Sequence, residues 1–135
     1  AVINLEQDKD IPYLTKALIQ KAKIERELKD LEKSNISINK ALEVSKKIND
    51  ITLINEANIE KYINSLQYEN VDLSIAELLE FTNRNIDNRH KAYIHLNLWK
   101  YSKIKESKTK AKELYIELYA EFPKYEYKNI LDSLK

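Results

Sequence analysis

Residues 41–57 read ALEVSKKINDITLINEA, and the alanine at each end of this stretch belongs to a series that repeats along the chain. Alanine returns every 35 residues in both series, which are Ala22, Ala57 and Ala92, and Ala41, Ala76 and Ala111. A fixed period between about 20 and 50 residues is typical of stacked repeats, in which each unit buries its apolar face against its neighbours. The stretch therefore predicts a repeat protein.

Four apolar columns share the period of the alanines. They consist of Ile24, Ile59 and Ile94; of Leu28, Ile63 and Leu98; of Leu31, Leu66 and Tyr101; and of Val44, Leu79 and Leu114. Inside each unit, apolar residues follow one another at spacings of three, four and seven, which indicates amphipathic helices. Because a polar break falls near the middle of each unit, we expect the unit to be a pair of helices.

Polar residues and prolines mark where the predicted helices begin and end. Asp10 ahead of Pro12 predicts the start of the first helix, since a short acceptor caps free amides and proline fits the first turn. That helix should cover about residues 13–33 and end at the polar stretch 34–37. Further breaks are expected at residues 69–70 and near residue 107.

The chain contains no stretch rich in glycine, proline and serine that would separate domains. Near its end, Ile130, Leu131 and Leu134 lie on one side of a predicted short helix, which suits a cap on the open end of a stack. We therefore expect one domain. Its predicted parts are a lead segment over 1–12, repeats over about 13–50, 51–86 and 87–123, and a capping helix over 124–135.

Charge and composition argue against several function classes. The 135 residues include 23 basic and 22 acidic side chains, so the net charge of +1 gives no support for nucleic-acid binding. No apolar run approaches the ~18 residues of a membrane span. Without cysteine or glycine, the chain lacks thiolate metal ligands and glycine-rich phosphate loops. We expect no cofactor and a cytoplasmic location, and, because methionine is also missing, we expect Ala1 to arise from processing or from within a longer protein.

Catalytic patterns are missing from the sequence as well. None of HExxH, GxSxG, GxGxxG and GKS occurs. His90 and His95 are five residues apart and so lie on different sides of one helix, which disfavours a shared metal and favours exposed or capping positions. The many carboxylates alternate with lysines at helical spacing, as solvated ion pairs do. We expect neither enzyme activity nor a metal site.

In its period and its columns the chain resembles the tetratricopeptide repeat family, whose unit is a helix pair of about 34 residues. Pro123 matches the proline that closes a repeat in that family, Ala111 its small residue and Tyr115 its aromatic residue. Ala41 and Ala76 take the alanine position in the other copies, where two helices approach closely and leave room only for a small side chain.

The resemblance implies the fold. We expect an all-α chain in which antiparallel helix pairs form a right-handed superhelical stack, a TPR-like α-solenoid of about seven helices. Residues 41–57 resemble the junction between helix pairs in bacterial sensory members of the family. The resemblance covers nearly the whole chain after residue 12.

The chain also departs from the family pattern. The family's glycine in the first helix is replaced in all three copies, by Lys29, Asn64 and Trp99. The period of 35 residues is one longer than that of the family, and the extra residue can lie in the turn within each pair. With that alignment, the columns that begin at Ile24, Leu28 and Leu31 become the apolar positions of the first helix. We favour this alignment. Trp99 is either packed by the final helix or exposed as an anchor for a partner.

The first helices of such pairs line a concave face, on which family members bind peptides. Residues three, four and seven apart share a helical face, so Lys23, Arg26, Asp30 and Lys33 can point the same way. Their net positive charge favours an acidic peptide, and tyrosines add rigid contact area. An ordinary solvated helix face is the alternative interpretation. The candidate partner-binding residues are Lys23, Arg26, Asn58, Lys61, Tyr68, Tyr93, Asn97 and Lys100.

Two function classes fit these observations. The first is a protein–protein interaction module that binds a peptide or partner protein on the concave face or at an end of the stack. The second is the sensory or regulatory domain of a larger bacterial regulator, whose effector domain is not in this chain. Either would have a protein or peptide partner, without a nucleic acid or a membrane span, and the oligomeric state is left open.

Overall fold

The computed structural model describes the backbone of residues 2–135 and the side chains of residues 11–135. Over that range the chain forms seven helices and no strand. The helices are α1 (Val2–Glu27), α2 (Leu31–Lys47), α3 (Ile51–Ser65), α4 (Val71–Thr82), α5 (Asn88–Ser102), α6 (Lys105–Glu121) and α7 (Tyr125–Ser133). The predicted all-α class is confirmed, whereas the superhelical arrangement of the pairs stays a prediction.

The first helix begins earlier than the sequence predicts. Pro12 lies inside α1, so the prediction that Asp10 and Pro12 open the helix is wrong. Because proline lacks an N–H, a carbonyl of the preceding turn loses its usual hydrogen-bond donor. The helix nevertheless continues past Pro12. Thr15 follows on the buried side of the next turn, where its hydroxyl donates a hydrogen bond to the carbonyl oxygen of Ile11 (2.8 Å).

The first helix also ends earlier than predicted. The chain turns at residues 28–30, where Lys29 has a positive φ of 64°. Asp30 then caps α2 by accepting a hydrogen bond from the backbone N–H of Lys33 at 3.1 Å. The predicted break at 34–37 is wrong because these residues continue α2, and two serines among them donate hydrogen bonds to α1.

Three more turns place residues other than glycine in the left-handed region of φ. Asn49, Asn70 and Lys103 have φ values of 53°, 48° and 54°. Asparagine enters this region more readily than most residues that carry a Cβ. At the end of α5, the N–H of Lys103 donates to the carbonyl oxygen of Trp99 (2.9 Å), so the break predicted near residue 107 falls at 103–104.

The turns within the three helix pairs differ in length. Residues 66–70 connect α3 to α4, whereas the turns at 28–30 and 103–104 are shorter. The longer turn shifts the register of α4 relative to α2 and α6, and its buried residues are Ser74, Leu78 and Phe81. Ala76 is consequently exposed, and its predicted burial is wrong.

The other five alanines of the two series are fully buried. They are Ala22, Ala41, Ala57, Ala92 and Ala111. A methyl side chain at a helix contact allows the two backbones to come close, and interiors packed this densely have no room for additional methylene groups. The 35-residue period therefore marks real packing positions in every helix that carries it except α4.

The chain divides into two compact units, residues 1–64 and residues 65–135. In the first unit, α1 packs against α2, and α3 contributes to the same core. The core cluster consists of Ile19, Ala22, Ile38, Ala41, Leu42 and Ala57, with Leu18 and Ile54 packed against it.

In the second unit, α5 packs against both α4 and α6, and α7 packs against α6. The core cluster consists of Ala92, Ala111, Tyr115, Leu118, Tyr127 and Leu134. The rings of Tyr115 and Tyr127 lie 5.9 Å apart, and burial raises the pKa of the Tyr115 hydroxyl above its ordinary value. The final helix thus contributes to this core, and its role as the cap of a repeat stack stays a prediction.

Candidate functional site

The predicted groove residues of the first unit divide between the interior and the surface. Arg26 is only 3% exposed, Lys23 and Asn58 are half-buried, and Lys61 is exposed. The guanidinium of Arg26 is therefore not presented on an open face, and its contact with a partner stays a prediction with less support. The structure gives this side chain a different role.

Arg26 forms a buried ion pair with a residue of α3. Its Nη2 lies 2.7 Å from Oε1 of Glu60, which is also only 3% exposed. The ammonium of Lys23 lies 3.9 Å from the other carboxylate oxygen of Glu60. Two of the predicted ligand-binding cations therefore neutralise a carboxylate of their own chain. A buried ion pair of this kind fixes how α1 meets α3 rather than presenting charge to solvent.

Asn64 extends this ion pair into a network. Its Oδ1 accepts a hydrogen bond from Nη1 of Arg26 (2.9 Å), while its Nδ2 donates to Ser34 Oγ (2.9 Å) and Asn35 Oδ1 (3.0 Å). Ser34 in turn donates to the carbonyl oxygen of Ala22 at 2.7 Å. The network joins three helices and satisfies polar groups inside the unit, which explains why asparagine stands at a position where the resemblance expects glycine.

The predicted groove residues of the second unit are also divided. Asn97 is buried, and its Nδ2 donates to the carbonyl oxygen of Tyr93 (2.8 Å), so its contact with a partner stays a prediction with less support. Tyr93 is half-buried, whereas Tyr68 and Lys100 are exposed. In both units, some of the predicted ligand-binding residues lie on the buried side of their helix and others on the exposed side.

Several apolar side chains on one side of α1 lie outside the core. Tyr13, Ala17, Ile24 and Leu28 follow helical spacing and form what we call the outer face of α1. Tyr13 is 78% exposed, Ile24 59% and Leu28 74%. The sequence predicts burial for the Ile24 and Leu28 columns, and in α1 this prediction is wrong. The buried side of the helix, which includes Ile19 and Ala22, is opposite.

The same positions are buried in the other two first helices. The equivalents of Ile24 and Leu28 are Ile59 and Ile63 in α3, and Ile94 and Leu98 in α5, all of which are buried. Within the second unit, Ala92 joins the cluster with α6 and α7, whereas Ile94 and Leu98 lie on the other side of α5. α4 also packs against α5. α1 therefore exposes the side that α5 buries.

The two histidines have separate environments. His90 lies in the first turn of α5, where Asp87 accepts hydrogen bonds from its backbone N–H (3.0 Å) and lies 2.9 Å from its Nδ1. Partial burial alone would raise the pKa of the Asp87 carboxyl, but hydrogen bonds from His90 and Arg89 and the charge of His90 lower it below its usual value.

His95, in contrast, is buried against α6. Its Nδ1 lies 3.1 Å from the hydroxyl of Ser107, so the prediction of an exposed or capping histidine is wrong for this residue. Burial, together with the positive charge of Lys110, lowers the pKa of the imidazole. Among the side chains that the structure describes, no group of three or more histidines and carboxylates could hold a metal ion.

Trp99 is partly buried rather than fully packed or fully exposed. It lies against the α5–α7 core cluster, and two lysine ammonium groups approach its ring. Lys103 Nζ is 5.0 Å and Lys108 Nζ 4.8 Å from the ring centroid, within the range of cation–π attraction. The tryptophan therefore connects the end of α5 with a lysine-rich surface on α6.

Within the described part of the chain, no helix is long and apolar enough to cross a membrane. Comparisons of the chain with protein-family models, with curated proteins and with solved structures give no match.

Proposed function

We propose that this chain is a protein–protein interaction module built from tetratricopeptide-like helix pairs, and that it binds an amphipathic helix of a partner protein on the outer face of α1. One observation carries the proposal: Ile24 and Leu28 are exposed in α1, although their equivalents in α3 and α5 are buried. Faces of repeat proteins that contact only solvent are usually polar, so exposed apolar side chains at helical spacing favour a contact surface.

The outer face offers apolar side chains that a partner could bury. Complete burial of a large aliphatic or aromatic side chain contributes about 1.5–3 kcal/mol. Tyr13, Ile24 and Leu28 together offer three such side chains along one stripe, which is the geometry by which grooves and helices recognise a partner helix.

The second unit indicates which partner structure fits. There, α4 packs against α5, and Leu78 and Phe81 of α4 are buried. A partner helix with apolar residues three and four apart would cover the outer face of α1. Binding of an acidic peptide along the concave face stays a prediction, with less support since Arg26 and Asn97 are buried.

The proposal can be tested with helical peptides. A displayed library of amphipathic helices would be selected on the immobilised chain, and the affinity of selected peptides measured by fluorescence anisotropy. We expect Ile24→Glu with Leu28→Glu to weaken binding by at least about tenfold, because charged side chains would have to be desolvated in the interface. The fold should survive, since substitutions of exposed residues usually change stability by no more than about 0.5 kcal/mol.

A matched control is available in the same chain. Ile36 and Ile116 are also exposed isoleucines but lie on α2 and α6. The Ile36→Glu, Ile116→Glu variant should bind the selected peptides as the original chain does. Equal binding by the Ile24, Leu28 variant would contradict the proposal. Sedimentation would detect dimerisation of the chain. If the Ile24, Leu28 variant abolished that dimerisation, the ligand of the outer face would be a second copy of this chain and not a partner helix.

A further inference from the structure

The end of α5 and the start of α6 concentrate positive charge that the chain as a whole does not have. Residues 100–112 contain six lysines and one glutamate, a local net charge of +5. Since the whole chain has a net charge of +1, the remaining residues together carry −4. The small net charge of the whole chain therefore does not reveal the strongly basic stretch at residues 100–112 of the second unit.

The structure places two of these lysines against one aromatic ring. Lys103 and Lys108 approach Trp99 from the turn and from α6. Lys105, Lys108 and Lys112 are three and four residues apart, so they share one side of α6. We call the set of Trp99, Lys103, Lys105, Lys108 and Lys112 the basic corner.

The ammonium groups of the basic corner have no carboxylate partner of their own. Among the described side chains, ion pairs involve Lys33 and Lys47, for example, but none of Lys103, Lys105, Lys108 or Lys112. Lys103 and Lys105 are exposed, and Lys108 and Lys112 are half-buried. The attraction to Trp99 limits the motion of Lys103 and Lys108. These two side chains would therefore lose less conformational entropy when an anionic ligand binds.

We propose that the basic corner binds an acidic segment of a partner protein, rich in aspartate and glutamate. This site lies on the second compact unit and does not depend on the outer face of α1. Lysines act as point charges and suit an acidic segment whose carboxylates lie at varied angles. A short acidic segment can contact the corner alone, but a long nucleic acid would also meet the net negative charge of the remaining chain.

The chain carries its own probe for this site, because Trp99 is its single tryptophan. A short synthetic peptide of aspartate and glutamate, without aromatic residues, would be titrated into the intact chain while tryptophan fluorescence is recorded. We expect a saturable change in emission that weakens as salt is added. A peptide of the same length made of glutamine should cause no change.

Substitution then locates the site. Lys103→Gln, Lys105→Gln and Lys108→Gln together remove three positive charges from the corner. A control with Lys16→Gln, Lys40→Gln and Lys128→Gln removes three exposed lysines on other helices, so both variants have a net charge of −2. Binding of labelled acidic peptide, followed by anisotropy, should weaken about tenfold in the first variant and stay unchanged in the second. Circular dichroism verifies that both variants remain helical.

Several outcomes would overturn the proposal. The absence of any saturable change at Trp99 would exclude a site at the corner, and equal weakening in the two variants would reduce the effect to bulk charge. Tighter binding of a single-stranded oligonucleotide than of an acidic peptide with the same number of charges would replace the protein partner by nucleic acid. None of these results depends on whether a helix binds to α1.

Discussion

His95 illustrates how one buried side chain makes the second unit sensitive to pH. Its imidazole lies 3.1 Å from Ser107 Oγ, and burial together with Lys110 lowers its pKa from the ordinary value of 6.5. In the unfolded chain the histidine regains that ordinary value. As the pH falls through about 6.5, the unfolded state therefore binds more protons than the folded state, and the free energy of unfolding decreases.

We expect the midpoint temperature of thermal unfolding to be lower at about pH 5.5 than at about pH 7.5. His95→Gln should remove most of this decrease. Asp87 does not contribute in that window, because its pKa is lowered from 3.8 and it is ionised at both pH values. His90→Gln serves as the control and should keep the decrease. Unchanged pH dependence in the His95 variant would mean that another group titrates.

At the scale of the element, the register of a helix determines whether the alanine of a repeat column is buried. Ala111 of α6 is fully buried, whereas Ala76, its counterpart in α4, is exposed because the turn before α4 is longer. The same sequence column thus contains an interior position and a surface position, which periodicity alone cannot distinguish.

This difference can be measured with one type of substitution. Ala111→Leu should lower the free energy of unfolding by about 1–3 kcal/mol, since the larger side chain overpacks the contact. Ala76→Leu should change it by no more than about 0.5 kcal/mol, because leucine is also a good helix former and the site faces solvent. Chemical denaturation of both variants provides the comparison. Similar losses in the two would contradict the register that the structure gives to α4.

At the scale of the whole molecule, the network around Arg26 unites helices that are distant in sequence. The ion pair joins Arg26 of α1 to Glu60 of α3, and Asn64 connects it to the start of α2. Such a network forms only after the three helices have packed, and every buried polar group in it depends on the others.

We expect Arg26→Met to lower the free energy of unfolding by about 3–5 kcal/mol, because Glu60 would lose its closest cation in the interior. Adding Glu60→Leu should recover part of that loss, as apolar replacement of both partners is often tolerated. The exposed pair Lys47–Glu43 is the control, and Lys47→Ala should cost no more than about 1 kcal/mol. If Arg26→Met costs as little as Lys47→Ala, the ion pair does not organise the unit.

The sequence by itself determined the helical class and five of the six alanine packing positions, because helical spacing and repeat period are local properties of a chain. It also located the junction within residues 41–57, where α2 ends and α3 begins. It could not determine which side of α1 is covered, since Ile24 and Ile94 look alike in sequence and differ only in whether a helix packs on them.

Tertiary structure alone decided the candidate site. Arg26 reads as a surface cation in its own helix, and only the approach of Glu60, 34 residues later in the chain, makes it an interior group. The lysines of residues 100–112 cancel against acids elsewhere when charge is summed over the chain, but the turn between α5 and α6 brings Lys103 and Lys108 to the ring of Trp99. Burial and charge clustering depend on the neighbours that the turns bring together, and spacing along the sequence does not record them.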